Sequence, residues 1–131
     1  MKNTIVQKFL LIAAIGLFSQ FSVAQDNTAN AAAAKQIADI VASLNHYPSD
    51  SDKMALNAII EDSALAGAVH AMASAVVNIE HAANAEGKTA MAALQANEEA
   101  PDRAKALAGI IASLNHTASA DAKAELAQLF P

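Results

Sequence analysis

Three histidines, His46, His81 and His116, stand 35 residues apart, and three lysines, Lys53, Lys88 and Lys123, follow at the same interval. Imidazole ligates transition metals and moves protons near neutral pH. A lysine ammonium pairs with anions. Equivalent side chains recurring at a fixed period are the type of set that a modular protein can use jointly.

Whether they act jointly depends on what positions them. If the repeats stack in a row, equivalent residues form a column one repeat apart. Neighbouring helices then hold their side chains ~8–10 Å from each other, too far for three imidazoles to meet on one zinc. His46, His81 and His116 are therefore candidate metal ligands, and the preferred expectation is that each terminates a helix, where a cationic ring meets free carbonyls. His70 falls in register with Lys35 and Lys105, so it reads as part of a solvated basic column. The three lysines are expected to pair with Asp50 or Asp52, Glu86 and Asp121 on their own helices. The chain has no cysteine, and no nucleophile elbow, P-loop or dinucleotide fingerprint occurs in it. Glu98, Glu99 and Asp102 cluster at a helix start, where solvated carboxylates are ordinary. No enzyme and no cofactor is expected.

The positioning elements follow from periodicity. Ile37, Ile40, Val41 and Leu44 are spaced as one face of a helix, expected over about 31–44. Met72, Ala75, Val76 and Ile79 repeat that face, as do Leu107, Ile110, Ile111 and Leu114. Three residues past each histidine stands Ser49, Asn84 or Ser119, a good N-cap for a second helix. Those helices are expected at about 50–60, 85–95 and 120–130. Their inward residues are Leu56, Ile59 and Ile60, then Met91, Leu94 and Gln95, then Leu126, Leu129 and Phe130. Gln95 breaks the apolar column and implies either looser packing or a polar contact. Ser63 is a candidate cap for the third helix, and Pro101 a candidate first residue for the fifth.

These features predict an all-α fold of three 35-residue helix-loop-helix repeats at about 31–62, 63–97 and 98–131. In period and helix layout the chain resembles short α-solenoids of the HEAT and tetratricopeptide (TPR) kind, though it lacks the tetratricopeptide Trp/Gly/Tyr/Pro pattern. The resemblance implies a short α-solenoid. The alternative is a compact six-helix bundle.

Residues 1–24 have the layout of a cleaved signal peptide, with Lys2 and Lys8, an apolar run from Phe9 to Phe18, and Ser22-Val23-Ala24 at its end. Residues 25–30 are polar and expected to form a disordered leader. The protein is then periplasmic or secreted, with no membrane association after signal cleavage. The formal net charge of −5 argues against nucleic-acid partners. Beyond the signal only Tyr47 and Phe130 are aromatic, too few for a stacking platform. The leading expectation is a non-catalytic exported repeat protein that binds a protein or peptide partner along its stack. The alternative is a periplasmic metal- or small-ligand-binding protein that uses the repeated histidines. A third reading is a homo-oligomer, built on exposed alanines and open array ends.

Overall fold

The computed structural model describes residues 27–131. The expected signal segment, 1–24, lies outside the described residues. Six helices follow one another: α1 (Asn27–Ser43), α2 (Asp50–Glu61), α3 (Gly67–Val77), α4 (Ala85–Ala96), α5 (Asp102–Ser113) and α6 (Ala120–Leu129). The described residues contain no strand, only isolated bridges in the turns. None of these helices is long and apolar enough to cross a membrane.

The helices start where side-chain chemistry starts them. Ser49 accepts from the Asp52 N–H at 3.1 Å, while the Asp52 carboxylate accepts from the Ser49 N–H at 3.2 Å, a reciprocal capping box. Asn84 accepts from the Gly87 N–H at 2.8 Å, and Ser119 from the Ala122 N–H at 3.1 Å. All three expected N-caps of the second helices are thus in place. Ser63 is not a cap. Helix α3 begins at Gly67, and the N–H of its N-cap residue, Ala66, donates across the molecule to Asn30 Oδ1 at 2.8 Å. That bond needs Asn30 to be helical, and α1 does begin at Asn27, so 27–30 of the expected leader belong to the folded unit. Pro101 sits one residue before its helix rather than at the first position.

The core is laid out around the first helix of each hairpin. All twelve residues of the three expected apolar faces are buried, and at one register position Ala38, Ala73 and Ala108 are at most 1% exposed. Small side chains there let helix axes approach closely. Helices α1, α3 and α5 each pack against the other two, forming an inner trio. Each second helix seals the seam to the next hairpin, α2 on α3, α4 on α5, and α6 back on α1.

That last contact departs from an open row. In a solenoid each repeat touches only its neighbours, whereas here the first and third hairpins meet directly. The basic column expected at the surface reinforces the seams. His70 is half-buried and donates from Nε2 to the carbonyl of Asp62, the C-cap of α2, at 2.7 Å. Its counterpart Lys35, which also pairs with Asp39 at 3.1 Å, reaches the carbonyl of Phe130, the C-cap of α6, at 3.5 Å. A cation at a helix C-terminus complements the dipole, and the last hairpin treats the first as its next repeat. At Gln95 the apolar column gives way to an exposed side chain. It lies across the α4–α5 seam, where a Cβ on Gly109 would stand 2.7 Å from its Nε2.

Phe130 tests this closure. It is 5% exposed although it is the penultimate residue. Phe130→Ala should destabilise the protein by about 3 kcal/mol in chemical denaturation, as for a core aromatic. A cost under about 1 kcal/mol would mean that the terminal helix does not seat on the first.

Candidate metal centre

Each inner helix delivers its chain to the same end of the trio, where a last buried apolar residue, Leu44, Ile79 or Leu114, anchors the turn. The histidine lies two residues further on. All three histidines are left-handed, with φ of 69°, 69° and 66°, and no other described non-glycine residue has positive φ. In the first and third copies the turn is closed by the residue after the histidine donating to the residue before it. Tyr47 N–H donates to the Asn45 carbonyl and Thr117 N–H to that of Asn115, both at 2.8 Å. A three-residue turn with positive φ at its centre is rare and strained.

The turns interlock. His46 N–H donates to the His116 carbonyl at 2.6 Å, His116 N–H to the His81 carbonyl at 2.5 Å, and His81 N–H to the His46 carbonyl at 2.6 Å. Three histidine backbones thus form a closed cycle with one member from each hairpin. Directly above it the imidazoles cluster, with ring centroids 5.2, 5.0 and 5.0 Å apart. One candidate ligand atom from each lies within 4.8 Å of the others.

This convergence was not expected from a column of helices 8–10 Å apart. The histidines are not on the helices. They occupy turns beyond the helix ends, and closure of the array arranges three equivalent positions around a point. The capping role is also displaced. Asn78 and Leu114 are the C-caps of α3 and α5, and the rings of His46 and His116 bond to neighbouring asparagines rather than to helix carbonyls.

Those asparagines matter for ligation. His46 Nδ1 lies 2.6 Å from Asn45 Oδ1, and His116 Nδ1 lies 2.7 Å from Asn115 Oδ1. An amide oxygen only accepts, so in these bonds Nδ1 is the donor, and in the neutral ring that leaves Nε2 as the nitrogen able to ligate. Fixing the tautomer through the distal nitrogen is how metal-binding histidines are oriented. Glu80 takes the equivalent place before His81, adding a carboxylate to this end. Sequence reasoning missed these orienting residues. The available signal was a polar acceptor directly before each histidine in all three copies.

Metal–imidazole bonds of 2.0–2.1 Å put ligand nitrogens about 3.4 Å apart, so the three ligand atoms, within 4.8 Å of one another, need to draw together only slightly to share one ion. His46 is half-buried, while His81 and His116 are exposed, so an ion has access from solvent. The expected lysine pairs do not form. Asp52 is engaged in its capping box, and among the described residues Lys35–Asp39 is the only ion pair.

The backbone explains why histidine is informative here. Left-handed φ costs an ordinary residue about 1–2 kcal/mol, and glycine adopts it freely. Turn geometry alone would be met most cheaply by glycine, yet histidine occupies all three places. In metal-free protein, His→Gly at any of the three should therefore leave stability within about 1 kcal/mol of wild type, and His→Ala should be about 1 kcal/mol less stable than the matching glycine variant. Denaturation of the six variants measures this. Alanine variants more stable than their glycine counterparts would contradict the left-handed turns.

Comparison of the chain with protein families, with curated proteins and with solved structures finds no match in any of the three.

Proposed function

We propose that this is a metal-binding protein that holds one divalent transition-metal ion on His46, His81 and His116. The observation that carries the reading is the meeting of three imidazoles, one from each hairpin, in backbone conformations that favour glycine. Imidazole donors suit zinc, copper, nickel and cobalt, and the carboxylates of an acidic chain favour cations over anions. The role is binding rather than catalysis, in the periplasmic or secreted setting implied by the N-terminal segment. The partner-binding reading that the sequence favoured drew its motivation from the long face of an open solenoid. With the first and third hairpins in contact, that motivation passes to the histidine turns.

Calorimetric titration of residues 25–131 with zinc, copper(II) and nickel should give one equivalent of bound ion for at least one of them. That ion at 100 times its dissociation constant should stabilise the fold by about 2.7 kcal/mol. Each single His→Gly substitution should weaken binding at least about tenfold, the scale seen on loss of even an outer-shell partner. Protons compete for the same nitrogens, so affinity should fall at acid pH. Absence of binding, or binding unchanged in all three variants, would overturn the proposal.

A further inference from the structure

Three ligands arriving from one side leave a metal with an open position, the arrangement that accepts water or an exogenous ligand. A cleft of about 430 Å³ adjoins the cluster at the seam between the first and second hairpins, and His81 lines it together with Tyr47, Lys53, Asn78 and Glu80. The metal site and the cleft therefore share a side chain. We propose that the fourth coordination position takes the carboxylate of a small monoanion, which the Lys53 ammonium and the Tyr47 hydroxyl hold in this cleft. The inference rests on the metal-binding reading above.

The cleft supplies what such a ligand needs. Lys53 forms no ion pair, because the acidic partners expected for it do not engage it. Its ammonium is a countercharge in a cleft that it lines together with His81. Tyr47 is 61% exposed, a large ring left in solvent beside the site, and its hydroxyl can donate to a carboxylate oxygen. The register places Lys88 and Lys123 at the other two seams, but there Ala82 and Thr117 replace the tyrosine. Only the first seam combines a cation with an aromatic donor, so one anion per metal is expected.

Charge selects the class of ligand. Glu80 lines the same cleft, and Asp50, Asp52, Glu86 and Asp121 lie within six residues of a histidine in the chain. A dianionic phosphate would meet several carboxylates with one lysine to offset them. A monoanion is balanced by Lys53 and the metal.

Cobalt(II) reports both steps, since its visible absorption changes with each ligand. Cobalt is added first to the wild type and to Lys53→Gln, Tyr47→Phe and Lys88→Gln variants, and then acetate, propionate or inorganic phosphate is titrated in. The expected result is equal cobalt loading in all four proteins. Acetate or propionate should then give a saturable spectral change, weakened about tenfold by Lys53→Gln, less by Tyr47→Phe, and unaffected by Lys88→Gln. Failure of cobalt to load would overturn the metal reading and this inference together. Normal loading with no saturable carboxylate response, with a response indifferent to Lys53, or with tighter phosphate binding would overturn this inference alone.

Discussion

The molecule depends on a cycle of three hydrogen bonds. His46, His116 and His81 each donate a peptide N–H to the carbonyl of another, and the cycle ties together at one end three hairpins whose inner helices also pack on one another. A row of repeats has two free ends, but this cycle leaves none, because the third hairpin is bonded to the first. The inner helices α1, α3 and α5 converge below it, and α6 covers the seam that an open row would leave exposed. Left-handed backbone at the three histidines is the strain that this closure requires, and the surrounding core holds it in place.

Much of this was legible in the residues. The period, the two helices per repeat and the apolar faces from Ile37 to Leu114 follow from spacing alone. Ser49, Asn84 and Ser119 announced the second helices because a short polar side chain before an acidic turn has a local physical role. Closure was not legible, since a 35-residue period states that neighbours are alike and says nothing of the rotation between them. That rotation comes from packing among buried residues such as Ala38, Ala73 and Ala108, whose small size permits close approach without dictating it. The same gap hid the histidine cluster. Its members were identified, but their meeting depends on long-range geometry. Asn30 shows the limit at the other end, where a residue assigned to a leader caps a helix 36 residues away.

The candidate site gains its force from the conjunction of two facts that are each ordinary. Histidine tolerates left-handed turns somewhat better than most residues, and exposed histidines are common. Three in one cycle, with rings within about 5 Å of each other and two of them hydrogen-bonded through Nδ1 to adjacent asparagines, form a donor set gathered at one point. The protein would then resemble other histidine metal sites in which an acceptor on the far ring nitrogen orients each ligand. It differs in that the scaffold presenting them is a backbone cycle rather than a sheet or a helix pair.

X-ray absorption on the zinc-loaded protein tests this account most directly, because it counts imidazole ligands at the ion itself. The account predicts three nitrogen donors at about 2.0–2.1 Å with the multiple-scattering pattern of imidazole, and one oxygen donor completing the shell. A shell of oxygen donors, or one containing a single imidazole, would contradict it.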